Sequence, residues 1–165
     1  MYVRHERPGD ETAIGQVTAA AFEGHPHSDQ SEPLIIERLR AAGALSVSLV
    51  AEKDEAIVGH IAFSPVTLVP AETGWFGLGP VSVLPDLQSQ GIGRLLIREG
   101  LEWLRAEGAS GCVVVGDPAL YQKFGFRNES ALEFPGCAPQ YFMALALSGA
   151  MATGTVAYHP AFGGA

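Results

Sequence analysis

Cysteine is scarce in this chain, with Cys112 and Cys137 its two thiols. That scarcity excludes a disulfide framework, and the two show no metal-type pairing, so both read as reduced thiols. Long apolar runs are missing too. Stretches such as Phe142 to Leu147 fall far short of the roughly 20 residues that cross a bilayer, so no membrane partner is expected. The opening run MYVRHERPGDE has no apolar signal region, which points to the cytoplasm. Positive charge is in deficit: 10 basic against 18 acidic side chains give a net charge of -8. Such a surface repels a phosphate backbone, and no basic stripe compensates, so nucleic acid is not an expected partner. It suits a cationic acceptor, but it serves solubility equally well. Repeats and low-complexity tracts are absent.

At 165 residues the chain suits one well-filled core and is short for two domains. Hydrophobic residues make up 47% and charged ones 17%, the balance of a compact domain rather than a disordered chain. Tyr2 to His5 reads as a short strand, and Pro8-Gly9-Asp10 as a turn with Asp10 capping a helix that carries Ile14, Val17, Ala21 and Phe22. The polar, Pro- and Gly-broken run Glu23 to Asp29 reads as a loop. Ser31 then caps a second helix with Leu34, Ile35 and Leu39 inward, ending near Gly43. Leu45 to Lys53 and Ile57 to Val69 form a hairpin through Asp54-Glu55, and a strand from Trp75 to Leu84 follows a turn at Pro70 to Gly74. A helix opens at Gly91 and runs to about Gly108, with Leu96, Gly100, Trp103 and Leu104 as its buried stripe. Gly111 to Gly116 is a continuous apolar strand. Ala119 to Phe124 is a short helix, and Ala131 to Phe134 and Tyr141 to Leu147 finish the sheet. Residues 1–147 are thus one α/β domain. The tail, residues 148–165, is Gly-rich apart from Val156, Tyr158, His159 and Phe162; it either docks as part of that domain or is partly mobile.

The most informative segment is Asp86-Leu87-Gln88-Ser89-Gln90-Gly91-Ile92-Gly93-Arg94. A strand that ends at a Gly-rich turn opening a helix presents unpaired N–H groups at the positive end of the helix dipole, and phosphate oxygens satisfy them. Glycine at 91 and 93 keeps Cβ atoms away and tolerates positive φ. Arg94 in the first helical turn opposes the dipole unless an anion sits nearby. Two glycines alone serve a tight turn or close helix-on-sheet packing equally well; the full run is more specific. No Lys-Ser or Lys-Thr pair follows, which excludes a Walker-type loop, and Leu96 stands where a dinucleotide fingerprint needs its third glycine.

Gln88-Ser89-Gln90-Gly91-Ile92-Gly93 resembles the pyrophosphate motif of the GNAT superfamily of N-acetyltransferases, Gln or Arg followed by x-x-Gly-x-Gly or Ala. Tyr121-Gln122-Lys123-Phe124-Gly125-Phe126 resembles the same family's Tyr-x-x-x-Gly-Phe segment. The resemblance spans roughly Tyr2 to Leu147 and narrows to a bacterial branch of small acetyltransferases. It implies an α/β (α+β) fold: one mixed, mostly antiparallel sheet of about six to seven strands, about four flanking helices, and a splay between the fourth and fifth strands. It also implies acetyl-CoA as co-substrate and no metal. The pantetheine arm would lie in the splay between Leu78–Leu84 and Gly111–Gly116, pairing with the first like an added strand. Val81, Ser82 and Val83 would line that arm, and Gln88, Ser89 and the amides of Gln90, Gly91, Ile92, Gly93, Arg94 and Leu95 would hold the pyrophosphate. Leu120 and Lys123 would flank the cofactor. The implied reaction is direct attack of a neutral amine in a ternary complex, with the oxyanion held by a strand amide near Val81 to Val83 and Tyr121 as general acid for the departing thiolate.

Two positions depart from the family pattern. Where many members place an Asn near the end of the Gly111–Gly116 strand, this chain has Val114, Val115 and Gly116, so that contact shifts to Asp117 or is lost. The strand Trp75 to Leu84 also lacks the Glu that serves many members as base. On the acceptor side the candidates to receive the amine's proton, directly or through water, are Glu23, His25, His27 and His60, each equally an ordinary surface or structural residue. His25 and His27 with Glu23 and Asp29 lack a third spaced partner for a metal site. Cys112, inside an apolar strand, reads as buried and inert rather than as an acyl carrier. The acceptor, a small-molecule or peptide amine, is unspecified, and a homodimer is compatible with the family. The alternative is a catalytically silent acyl-CoA-binding or regulatory module, which the missing strand Glu favours and Tyr121 opposes.

Overall fold

The computed structural model describes residues 1–70 and 73–163. A helix with apolar residues three and four apart must bury one face. In α3 (Ile92–Ala106) those are Ile92, Leu96, Ile97, Gly100, Leu101 and Leu104. They pack on one side of the main sheet against Val47, Leu49, Ile61, Phe63, Leu78 and Val83. Gly100 permits the close approach: a Cβ there would stand 2.6 Å from Cζ of the Phe63 ring. The sheet's other side is covered by α1 (Glu11–Phe22) and α2 (Glu32–Ala41), whose Ile14 and Ile36 meet Val50.

Among the described residues the main sheet has six strands: β1 (Tyr2–His5), β2 (Val47–Lys53), β3 (Ala56–Pro65), β5 (Trp75–Val83), β6 (Gly111–Val115) and β8 (Phe142–Ala146), in that order. All neighbours are antiparallel except the β5–β6 pair. Asp54 and Glu55, at φ 51° and 64°, form the two-residue turn from β2 to β3, a turn whose twist matches its strands. β5 and β6 pair only over Trp75–Gly77 with Gly111–Val113. Beyond that they part, which is the splay expected between the sheet's fourth and fifth strands. The cause lies in β5. Ile61 faces Val81 and Phe63 faces Leu78, so β5 carries an extra residue at Gly79-Pro80, a bulge that bends the strand. Pro80, moreover, has no N–H to offer a neighbour.

Several local expectations give way to packing. Ile57 to Val69 is not one strand: β3 stops at Pro65, and β4 (Thr67–Val69) joins a second sheet in the order β4–β9–β7, with β7 (Leu132–Glu133) and β9 (Gly154–Ala157). The tail is therefore woven between β4 and β7. Tyr158 follows, its ring so close to β5 that a Cβ on Gly77 would stand 2.7 Å from Cε2. Its ring packs tilted against Phe134 at 5.0 Å and edge-on to Phe162 at 5.1 Å. Leu34 is 43% exposed, because α2 turns Ile35, Ile36 and Leu39 inward instead. Trp103 is 41% exposed, on the flank of the α3 stripe against His5. Asp10 and Ser31 stand at the helix starts, yet neither side chain caps its helix. The Asp10 carboxylate instead accepts from Arg4 Nη1 and the Arg7 amide, both at 2.7 Å. Of the turn expected at Pro70 to Gly74, positions 71 and 72 lie outside the described residues.

Gly100→Ala tests the helix-on-sheet contact. Helix propensity favours Ala by about 1 kcal/mol, but overpacking against Phe63 costs about 1–3 kcal/mol. The denaturant midpoint should fall, and a raised midpoint would mean that α3 does not lie this close to β3.

Candidate active site

Where β5 and β6 part, the chain leaves a cleft with two compartments. The first, of about 490 Å³, is built on the start of α3. Gly91 is the N-cap, at φ 88°, and no side chain caps the helix. The first amide closed within the helix is that of Leu95, which donates to the Gly91 carbonyl at 3.0 Å. The N–H groups of Gly91, Ile92, Gly93 and Arg94 are thus the four that a helix start leaves open, and all four residues line this compartment. A Cβ at Gly91 would meet nothing within 4 Å, and one at Gly93 only Val83 Cγ2 at 3.9 Å. Neither glycine therefore serves packing of helix on sheet, the role carried by Gly100 and Gly59. Gly91 answers to its left-handed φ, and Gly93 keeps the compartment clear. Ser89 is also left-handed, at φ 65°, a strained conformation of the kind that concentrates at ligand sites.

The second compartment, of about 1030 Å³, lies beyond the β5 bulge. Leu78 to Val81 form one wall and Val115 to Asp117 the other, with Phe22 from the end of α1, His25 and His27 from the α1–α2 loop and Phe134 and Tyr141 from the β7–β8 region. Val81, Leu120 and Tyr121 line both compartments, so Tyr121 stands at their junction. Local chemistry fixes it there. Asp117 caps α4 (Pro118–Tyr121), its Oδ1 accepting from the Ala119 amide at 3.0 Å. Gly116 makes room for the phenol: a Cβ there would stand 2.5 Å from ring carbon Cε2. Phe126 packs edge-on at 5.8 Å. Burial first, and then Cys112 and Asp117, push the Tyr121 phenol up to about 12. At neutral pH it is a hydrogen-bond donor.

Of the residues expected at the cofactor, Val81, Val83, Gln88, Ser89, Gly91, Ile92, Gly93, Arg94 and Leu120 line the first compartment. Others fall elsewhere. Gln88 Nε2 donates to the Val83 carbonyl at 3.0 Å, so protein already occupies that acceptor. Ser82 is 1% exposed and lines neither compartment, nor do Gln90, Leu95 and Lys123. The Leu95 amide is closed in its helix, and the Asp117 carboxylate serves as a helix cap. Leu87 and Ile97 line the first compartment without having been expected there. Their signal was available: Ile97 lies four residues after Gly93 on one face of α3.

On the acceptor side, His25 and His27 line the second compartment, whereas Glu23 is exposed and lines neither. His25 Nδ1 accepts from the His27 amide at 3.2 Å, which leaves the hydrogen of a neutral ring on Nε2. Asp29 is engaged by Ser31, and no three His, Cys, Asp or Glu side chains converge among the described residues. His60 is fully buried on the side of the sheet away from α3, where Nε2 meets Ser48 Oγ at 2.8 Å. Burial, the largest influence, pushes its pKa down to about 4. Cys112 is fully buried, and burial raises its thiol far above the usual range.

The sequence pattern of the acetyltransferase (GNAT) family matches residues 13–126, more than half of the chain. The chain belongs to this family. It is 33% identical to the uncharacterized N-acetyltransferase YhbS of Escherichia coli strain K12 over 98% of both chains. A GNAT family acetyltransferase from Brucella melitensis, solved in complex with acetyl-CoA, is 52% identical, covers 98% of this chain and 97% of its own, and superposes with a TM-score of 0.87. The Escherichia coli YhbS structure, in complex with CoA, gives 34% identity and a TM-score of 0.88 over 98% and 91% of the two chains. GNAT enzymes are N-acetyltransferases, and the splayed mixed sheet of this chain is the fold they share. No helix among the described residues is long and apolar enough to cross a membrane.

Gly116→Ala forces the Tyr121 ring out of its seat. The expected result is a fall in acetyl-transfer turnover of about tenfold, or about 1.4 kcal/mol, in a protein that still folds but with an unfolding midpoint lowered by the overpacking. Undiminished turnover would show that the ring position does not matter to the chemistry.

Proposed function

We propose that this GNAT chain transfers an acetyl group from acetyl-CoA to the amine of a small molecule or peptide, by direct attack in a ternary complex, with Tyr121 as general acid. One observation carries the reading: a helix start with four uncapped amides opens on a compartment that meets a second, larger one at a buried, protonated phenol. The first compartment suits a diphosphate, because backbone donors and the helix dipole both favour an anion there. Arg94 adds a formal positive charge. The open edge of β5 beyond Gly77 can accept an extended arm as an added strand. The relatives in complex with acetyl-CoA and CoA support the same ligand here.

The chemistry follows from the order of the parts. A neutral amine in the second compartment attacks the thioester carbon, and negative charge gathers on the carbonyl oxygen, where a β5 amide near the bulge can stabilise it. Collapse breaks the C–S bond, and the departing sulfur takes the Tyr121 proton. With its pKa raised by burial, Tyr121 keeps that proton until a strong acceptor forms beside it.

A silent acyl-CoA-binding module is the second reading, favoured by the absence of a carboxylate from β5. Thiol release from acetyl-CoA across a panel of amines separates the two, since only an enzyme accelerates when an acceptor is added. Tyr121→Phe should lower turnover by about a hundredfold with acetyl-CoA affinity unchanged; equal turnover would remove Tyr121 from the mechanism. Gly93→Asp should weaken acetyl-CoA binding by at least about tenfold through bulk and like charge. Unchanged affinity in a folded Gly93→Asp protein, measured by calorimetry, would contradict the placement of the phosphates.

A further inference from the structure

Rings and aliphatic side chains dominate the lining of the second compartment. Two of them are large and left in water: Val115 is 45% and Tyr141 47% exposed. Both stand where β6 ends and β8 begins, the Gly116 amide donating to the Tyr141 carbonyl at 2.9 Å. Apolar surface left exposed along a cleft is characteristic of a ligand site. Phe134 adds a second ring, packed against Phe142 at 5.4 Å and Tyr158 at 5.0 Å between ring centres. Phe22 adds a third, its ring 5.9 Å from that of His25.

The charge of the lining narrows what those rings can hold. Among the described residues no lysine or arginine lines the second compartment; Arg94, the cation of the cleft, lines the first. Asp117 is the one carboxylate, and its Oδ1 already accepts from the Ala119 amide. A carboxylate or phosphate on the acceptor would therefore enter without a cation to pair with it, beside Asp117 and in a chain of net charge -8. A polyamine would bring several ammonium groups to a single, partly engaged carboxylate. A lone ammonium on an aromatic body meets neither problem: ring packs on ring, and aromatic faces attract the cation as it arrives. At about 1030 Å³ the compartment has room for such a ring beside an acyl group.

We propose that the acceptor is a primary amine carried on an aromatic body by a short alkyl stem, with no carboxylate, no phosphate and no second ammonium group. The proposal rests on the acetyl-transfer reading above. The body lies among Phe22, Val115, Phe134 and Tyr141, and the stem carries the nitrogen toward Tyr121, where the two compartments meet. The ammonium group first gives a proton to water at the exposed rim of the cleft. Its nitrogen then bonds the acyl carbon and loses a second proton to water as the C–S bond breaks. The sulfur takes the Tyr121 proton and the phenol recovers one from water, so an amide and a free thiol leave.

The test is thiol release by the full chain at saturating acetyl-CoA, with phenethylamine, phenylalanine, butylamine, spermidine, an aminoglycoside and a lysine-containing peptide as acceptors. Phenethylamine should give a kcat/KM at least about tenfold above each of the others. Phenylalanine adds only a carboxylate to it and butylamine lacks only the ring, so the two comparisons separate charge from packing. Tyr141→Ala and Phe134→Ala should each raise the KM for phenethylamine about tenfold, with acetyl-CoA affinity by calorimetry unchanged; the exposed Tyr141 serves if the Phe134 variant fails to fold. Val115→Arg supplies the missing cation and should narrow the gap between phenylalanine and phenethylamine. A parent enzyme that uses spermidine, phenylalanine, the aminoglycoside or the peptide as well as phenethylamine would overturn this proposal alone, as would an unchanged KM in Tyr141→Ala. If the parent binds acetyl-CoA yet releases no thiol with any of the six, the acetyl-transfer reading falls and takes this proposal with it.

Discussion

One extra residue in β5 governs the arrangement of everything around it. Without the bulge at Gly79-Pro80, β5 and β6 would continue their ladder past Gly77 and Val113, and the sheet would close. Closed, it would place no cleft between Tyr121 and the start of α3. Opened, it leaves a stretch of strand edge whose donors and acceptors lack a partner strand, and a buried edge of that kind needs one. An extended ligand arm is the partner the proposed function supplies. The bulge thus connects a local backbone irregularity to a binding mode, and the two compartments on either side of Tyr121 follow from it.

The two faces of the sheet divide the remaining work. Toward α3 the interface is dry and apolar, with Leu96, Ile97 and Leu101 packed on Ile61, Phe63 and Leu78. That rigid seat fixes where the four open amides point, which matters because a diphosphate site is only as well preorganised as the backbone that forms it. Toward α1, α2 and the tail the same strands bury His60, Ser64 and Ser82, with a half-buried Ser48 against His60. Polar groups buried on one face alone, several without a partner, weaken the fold there by about 1–3 kcal/mol each.

The sequence made the framework legible wherever a periodic pattern or a turn motif acted locally. The α3 stripe, the Asp54-Glu55 hairpin and the apolar β6 strand are of this kind, and the run from Gln88 to Arg94 indicated the helix start that proved to be uncapped. What stayed hidden depended on distant partners. Nothing near Thr67 or Gly154 in sequence signals that the two meet in a second sheet, because strand pairing over such a separation leaves no local periodicity. Tyr158 on Gly77 and Tyr121 over Gly116 are likewise contacts between a glycine and a ring that only the fold brings together. Asp117 shows the opposite limit. Its position beside the cleft was evident, yet the competing demand of a helix start claimed its carboxylate.

The departures from the family pattern fit one another. Near the end of β6, where the family pattern places a pantetheine-bonding Asn, this chain has Val114, Val115 and Gly116, and the missing side chain of Gly116 is what gives the Tyr121 ring its seat. An Asn there would compete for the space that the phenol fills. On the proposed function, loss of that contact would leave more of the cofactor's affinity to the α3 amides and the β5 edge, both made of backbone and therefore insensitive to side-chain change. The strand Glu is missing for a similar reason. At Gly77 the Tyr158 ring lies where a side chain would project, and at Ser82 a small hydroxyl sits opposite His60. A carboxylate at either place would be buried and ionised without a cation to pair with it, several kcal/mol less favourable than the neutral groups present.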